Sequence, residues 1–399
     1  MREFHLGLLP KIIIAIILGI VCDFWMPLSL IRVFSTFNSI FSEFLGFIIP
    51  LIIVGLVTPA IANIGKEAGR MLLITVAISY AATLIAGLMS YGVSVSTFPE
   101  IISGNSATVY EQAQAAEPAP YFNMTIPPVM SVMSALILSF VLGLGISYTQ
   151  GFTMKKVAEE CGEIITLVIQ TIIIPLLPLY IFGIFMNMTE TGQVVQILGV
   201  FAGIIGIIFV MHICWLVALY CLAGAYTGKN PIKALKNMMP AYFTALGTQS
   251  SAATIPVTMA QTIKNGVSEG IAGFVIPLCA TIHLSGSMLK IVACSLALMI
   301  MQGHPYSLNL FIGFICMLGI TMIAAPGVPG GAIMAALGIL SSMLGFSDQD
   351  QALMIALYIA MDCFGTACNV TGDGAIALII ERITDKKDVK TAQQNTAGI

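Results

Sequence analysis

Apolar residues fall along this chain in long blocks separated by short polar stretches. Measured against the ~20 residues that cross a bilayer as a helix, the first half holds six such blocks. They run at about 8–30, 37–63, 71–96, 128–149, 161–188 and 194–226. An interrupted region follows at about 231–263, then a span at 268–302, a second interrupted region at about 307–346 and a last span at 350–381. The first block comes after Met1-Arg2-Glu3-Phe4-His5 without a small-residue cleavage site, and reads as a membrane helix and not a removed signal.

Basic residues orient these blocks. Arg2, Lys11, Lys66, Arg70, Lys155, Lys156, Lys229, Lys233, Lys236, Lys264 and the tail residues Arg382, Lys386, Lys387 and Lys390 all fall on one side if the N-terminus is cytoplasmic. The opposite loops, 97–127 and 186–193, hold no lysine or arginine, and Arg32 is the main exception in a loop. That is the positive-inside pattern, and it predicts an inner (plasma) membrane protein with both termini in the cytoplasm.

The same lysines constrain the interrupted regions. Only about 27 residues lie between Lys236 and Lys264, too few for two spans of ~20. One span would put the lysine-rich tail outside, so a re-entrant hairpin from the cytoplasm remains, its tip at Gly247-Thr248-Gln249-Ser250-Ser251-Ala252-Ala253. The second region breaks at Ala325-Pro326-Gly327-Val328-Pro329-Gly330-Gly331, and reads either as two tilted spans or as a hairpin from outside. Both full spans of this half are expected to break mid-membrane, at His283-Leu284-Ser285-Gly286-Ser287 and at Asn369-Val370-Thr371-Gly372-Asp373. Discontinuous segments in an inverted pair point to a secondary transporter with a midplane site.

Composition agrees: of 399 residues 58% are hydrophobic and only 9% charged, against ~25% charged in soluble domains. The nine cysteines lie mostly in apolar blocks without a Cys-x-x-Cys pair, which suits small buried side chains better than disulfides or zinc. No basic stripe suggests a nucleic-acid partner.

The chemistry concentrates in the last span. Asp362, Thr366, Asn369 and Asp373 are spaced 4, 3 and 4 residues apart and share one helical face. A carboxylate at the bilayer centre costs ~2.5–3.5 kcal/mol, so two in one span call for ligands or for neighbouring helices that satisfy them. Hydroxyl and amide oxygens on the same face favour ligands, of the kind hard cations take.

The serine-rich tip with Ser250 and Ser251, the Gly327-Val328-Pro329-Gly330-Gly331 turn and the Asn369-Val370-Thr371-Gly372-Asp373 run resemble, over essentially the whole chain, the dicarboxylate/amino acid:cation symporters, which include glutamate and neutral amino acid transporters. The resemblance implies an all-α polytopic fold of eight transmembrane helices and two opposed re-entrant hairpins, built as inverted repeats and moving as an elevator. It implies a homotrimer whose scaffold is 1–70 and 128–190 and whose mobile transport domain is 71–96 and 194–381. Residues 97–127 form an extracellular loop crossing over the transport domain, and 382–399 a cytoplasmic tail.

Carried over residue by residue, Asp362 holds the substrate α-amino group, Thr366 contacts substrate, and Asn369 with the Ser250–Ser251 tip takes the α-carboxylate. Val328, Pro329 and Gly330 close the outer side. Asp373 and the carbonyl of Asn369 match a sodium site, joined by carbonyls near Cys279 and His283.

Three departures follow. Where many acidic-substrate members carry a bidentate arginine, this chain has Gly365, which favours a neutral or small polar amino acid over glutamate, aspartate or a dicarboxylate. A sodium-binding aspartate is Ser285, a thioether is Leu284 and an asparagine is His283, so coupling rests on fewer sodium ions or on protons, with His283 either titrating or donating to unwound backbone. Lys290 lies deep in the membrane domain and either replaces the missing arginine's charge, by pairing with an acid such as Asp362 in the empty site or by contacting an acidic substrate side group, which keeps an acidic amino acid or dicarboxylate as the alternative substrate, or reaches the outer interface. Gln249, at a tip position that is arginine in some members, and Tyr80 and Thr83, near another sodium position, carry less weight. A passive channel and an intramembrane hydrolase using Ser250, Ser251 and His283 are the competing classes; the second lacks an orienting acid.

Overall fold

A computed structural model describes residues 8–23, 25–63, 70–102, 119–149, 151–189, 194–323, 325 and 329–396. Among the described residues there are helices and connecting turns but no strand. Hydrocarbon offers backbone groups no water, so segments this apolar close their hydrogen bonds internally as helices.

The helices are α1 (Leu8–Asp23), α2 (Leu28–Asn63), α3 (Arg70–Ile101), α4 (Val132–Thr149), α5 (Phe152–Val168), α6 (Ile174–Thr189) and α7 (Val194–Thr227). The second half holds α8 (Pro231–Asn237), α9 (Met239–Thr248), α10 (Ser251–Lys264), α11 (Glu269–Ile282) and α12 (Ser285–Met301). It ends with α13 (Leu308–Ile323), α14 (Gly331–Leu344), α15 (Asp348–Ala360) and α16 (Asp362–Thr396). Six helical segments among the described residues are long and apolar enough to cross a membrane: Leu28–Ala62, Met71–Ile101, Phe152–Met186, Gly199–Thr227, Glu269–Met301 and Asp362–Thr384. Pro10–Cys22 and Ser134–Thr149, also expected to span, are shorter apolar helices.

Local chemistry explains the punctuation. A π-helical turn, Ile169–Ile173, joins α5 to α6 just before Pro175, whose missing N–H disturbs the regular ladder. Between α9 and α10 the chain reverses through Gln249, which has φ 52, and Ser250, whose hydroxyl accepts from the Ala253 N–H at 3.3 Å as an N-cap. A capping box starts α15: Ser347 Oγ accepts from Asp350 N at 3.3 Å, and Asp350 Oδ2 from Ser347 N at 2.8 Å. Ser347→Ala is therefore expected to cost about 1 kcal/mol, read as a lower melting temperature in detergent.

The described residues correct two sequence expectations. The break at His283 and Leu284 stands where expected, between α11 and α12. The other break lies at Met361, and residues 369–373 are continuous helix inside α16. Glycine at 372 suggested a break, but Gly372 is pressed against the His283 ring, 2.7 Å from where its Cβ would stand; there it serves close packing. Arg32 belongs to α2 rather than to a loop, where its Nε donates to the Ala119 carbonyl at 2.9 Å and its guanidinium lies 4.4 Å from the Tyr121 ring centre. The described end of the 97–127 loop is bound along α2, with Tyr121 N on Thr36 Oγ1 and Ile126 N on Glu43 Oε2; residues 103–118 lie outside the description.

In the first half α2 packs against α4, α5 and α6, and α1 lies on α6. In the second, α16 forms the axis, touched by α3, α7, α9, α10, α11, α12 and α15. Beside it α12 is buried along nearly its whole length: every residue from Ser285 to Met301 except Ile300 is enclosed by protein. This enclosure lets a helix carrying three serines and a lysine stand within a membrane domain, since its polar groups face protein and not hydrocarbon.

Candidate functional site

The N-termini of three helices converge on that of α16. A cavity of about 30 Å³ is bordered by Ser251 at the start of α10, Ser287 at the start of α12, Ala332 at the start of α14, and Asp362 and Thr366 at the start of α16. Gln249, Ala280, Leu284, Ala325, Tyr358 and Asn369 complete its wall. Unpaired N–H groups and the positive dipole ends of helices make such a junction suited to an anionic group. Its size admits roughly one or two waters, far below the ~300–1,000 Å³ of pockets that enclose small organic ligands. An organic ligand would need these walls to part.

Side chains of α16 satisfy helix ends that have no cap of their own. Leu284 gives α12 no side-chain cap, and Asn369 Oδ1 instead accepts from Gly286 N at 2.7 Å and Ser287 N at 3.4 Å. Asn369 Nδ2 donates to Ser287 Oγ at 3.2 Å, and that hydroxyl bonds to Tyr358 OH at 2.9 Å. Asp362 Oδ2 accepts from the N–H of Gly330 at 2.8 Å, where φ 78 turns the chain into α14. Pro329 occupies the same turn; Val328 lies outside the described residues.

Lys290 lies at the centre of the charges. Its Nζ stands 2.7 Å from Asp362 Oδ1 and 3.3 Å from the centre of the Tyr358 ring, and its side chain has no exposed surface. A Cβ on Gly365 would come within 2.8 Å of this ammonium, so the lysine occupies the space a side chain there would need. Lys290 does not reach the outer interface and does not border the cavity.

A second buried pair sits deeper. His283 Nδ1 donates to Asp373 Oδ1 at 2.8 Å, with both residues enclosed. His283 Nε2 and the hydroxyls of Ser285 and Thr371 are buried without a hydrogen-bond partner among the described residues. Cys279 Sγ lies 3.4 Å from Ser79 Oγ, while its carbonyl accepts the His283 N–H at 2.9 Å. Tyr80 donates to the Cys316 carbonyl and Thr83 to the Ser79 carbonyl, engaging both in helix packing.

Two contributors were not evident from the sequence. Tyr358, four residues before Asp362, lies under the Lys290 ammonium and ties Ser287 to the cavity wall. His212, in the middle of α7, donates from Nε2 to the Gly286 carbonyl at 2.9 Å, and a carbonyl partner fixes that tautomer. Gly330, expected on the outer side, closes on Asp362 through its amide. Tyr358 shares helical spacing with Asp362; nothing in the sequence links His212 to the site.

A family model for the sodium:dicarboxylate symporter family matches residues 8–383. The chain belongs to that family. As a sodium:dicarboxylate symporter family member it is a multi-pass membrane transporter coupled to cations. Its relatives include the serine/threonine transporter SstT of Acinetobacter baylyi, 25% identical over 95% of this chain and 98% of the relative. The serine/threonine transporter SstT of Acinetobacter baumannii is 27% identical over 94% and 96%. Excitatory amino acid transporter 1 of Ambystoma tigrinum is 30% identical over 64% of this chain and 48% of that protein.

Proposed function

We propose that this family member carries a neutral or small polar amino acid, L-serine or L-threonine in kind, into the cell together with sodium. The observation that supports this reading best is the occupancy of the Gly365 space by Lys290. No side chain at 365 offers a fork for a second carboxylate, and the lysine ammonium is engaged by Asp362 without bordering the cavity. An acidic substrate would need that lysine to turn into the cavity. The names of the two bacterial relatives point the same way.

On this reading Asp362 takes the α-ammonium when the Gly330 amide withdraws. The converging N-termini, with Ser250, Ser251, Thr366 and Asn369, take the α-carboxylate, and Pro329, Gly330 and Val328 form the outer gate. Sodium is co-transported cargo. Its donors are Asp373, carbonyls near Cys279, His283 and Asn369, and the Ser285 and Thr371 hydroxyls, which have no hydrogen-bond partner among the described residues; all are oxygen donors that suit a hard cation. Residues 71–96 and 194–381 move as an elevator against a scaffold of 1–70 and 128–190. The protein works as a homotrimer in the plasma membrane with cytoplasmic termini, eight spans and two opposed re-entrant hairpins.

Uptake of labelled amino acids into proteoliposomes tests this. Replacing external sodium with choline is expected to weaken apparent serine affinity by about 5–150-fold, the range of typical coupling energies. Uptake that ignores sodium and follows an imposed proton gradient would move the coupling to protons. A preference for aspartate or a C4-dicarboxylate would reverse the substrate assignment.

A further inference from the structure

Lys290 and Asp362 reach each other across two helices under unusual conditions. Both are enclosed, the ammonium sits 2.7 Å from Oδ1, and the Tyr358 ring closes the remaining side at 3.3 Å. The lysine approaches from the α12 side, through space that exists because residue 365 is glycine. Asp362 borders the cavity and Lys290 does not. The second carboxylate oxygen is held by the Gly330 amide at the start of α14. The protein therefore satisfies Asp362 entirely with its own groups, and the junction is both neutral and closed.

We propose that Lys290 is a built-in counter-ion, neutralising Asp362 whenever no substrate ammonium is bound, so that the unloaded site can close and cross the membrane. This rests on the symporter reading of the same site. A carboxylate with four lone-pair positions accepts several donors at once, so an incoming ammonium displaces the Gly330 amide from Oδ2 while Lys290 stays on Oδ1. In the loaded carrier the substrate supplies a positive partner for Asp362. In the unloaded carrier only Lys290 does. Without it, each empty return would carry an unpaired buried carboxylate through the low-dielectric interior. The lysine thus acts as a positioning residue for half of the transport cycle and touches no substrate.

The two half-cycles are separable by experiment. Net uptake into liposomes without internal amino acid requires the empty return; exchange against internal amino acid does not. The full chain is reconstituted and assayed with L-[14C]serine in both modes, as wild type, Lys290→Met and Gly365→Ala. Methionine keeps the unbranched stem without the charge, and alanine at 365 evicts the ammonium while leaving the lysine in place. Both variants are expected to raise the ratio of exchange to net uptake by about tenfold or more, a lower bound well inside the effect of stranding a buried charge. Equal losses in the two modes, or an unchanged ratio, overturn the counter-ion role. Because the variants reach one contact from opposite sides, a folding failure of one leaves the other as the test. A wild-type protein that moves serine in neither mode overturns the amino acid reading beneath it; one that transports serine while the variants keep its ratio overturns the counter-ion alone.

Discussion

Asp362→Asn is expected to abolish serine transport, in exchange as well as in net uptake, with at least a ~100-fold loss in rate at fixed substrate. The substitution removes the carboxylate proposed to receive the α-ammonium and strands the Lys290 ammonium, which lies 2.7 Å away and fully enclosed. Removing one partner of a buried pair costs about 3–5 kcal/mol, because the remaining charge stays in the interior without compensation. The variant should therefore also melt earlier than wild type in detergent. The double variant Asp362→Asn/Lys290→Met separates the two effects. It removes both charges, so its melting temperature is expected to recover while transport stays lost. Recovery of both, or of neither, would contradict the assignment of Asp362 as a substrate ligand paired to Lys290.

Gly286→Ala is expected to lower stability through overpacking, without removing any charge. A Cβ at this position would meet the Gly365 carbonyl at 2.5 Å, Cys368 Cβ at 2.7 Å and Asn369 Oδ1 at 3.2 Å. Two of these contacts belong to the backbone and core of α16, which cannot swing aside like a flexible side-chain end. The same residue donates its N–H to Asn369 and receives the His212 Nε2–H on its carbonyl, so both sides of its peptide link α12 to its neighbours. Overpacking of this kind costs ~1–3 kcal/mol and can exceed that where backbone must shift. Thermal unfolding of the purified variant measures it, and serine affinity should weaken in parallel as Asn369 is pushed off the α12 N-terminus. A wild-type melting temperature would show that the two helices tolerate greater separation than their contacts suggest.

Much of the arrangement was readable before any coordinates. Lengths of apolar blocks and lysine positions placed α2, α3 and α7, and the interruptions at 283–287 and at the Ser250–Ser251 tip, because hydrophobic span and charge asymmetry are properties of the chain itself. The periodic oxygen set Asp362, Thr366, Asn369 and Asp373 was legible for the same reason: helical spacing is local. What escaped was decided by neighbours distant in sequence. The unwound residue in the last span is Met361 and not Gly372, since Gly372 is held helical against the His283 ring. Lys290 could be seen as an intramembrane charge, but two destinations stood open for it. Only the crossing of α12 over Gly365 selects one. His212 gave no sign at all, because a histidine alone in a long apolar helix has no periodic partner.

The enclosure of α12 bears on how the protein meets membranes of different thickness. Many exposed apolar side chains lie on α1, α3, α4, α5 and α7, such as Ile17, Ile85, Val141, Ile164 and Val217, whereas α12 is surrounded by protein at every residue but Ile300. Hydrophobic mismatch acts on whatever touches acyl chains, through tilt and local thinning, and amounts to fractions of a kcal/mol per ångström. That strain falls on the outer ring and reaches the central charges only through packed side chains, which insulates the lysine–carboxylate contact from the lipid composition of the host cell.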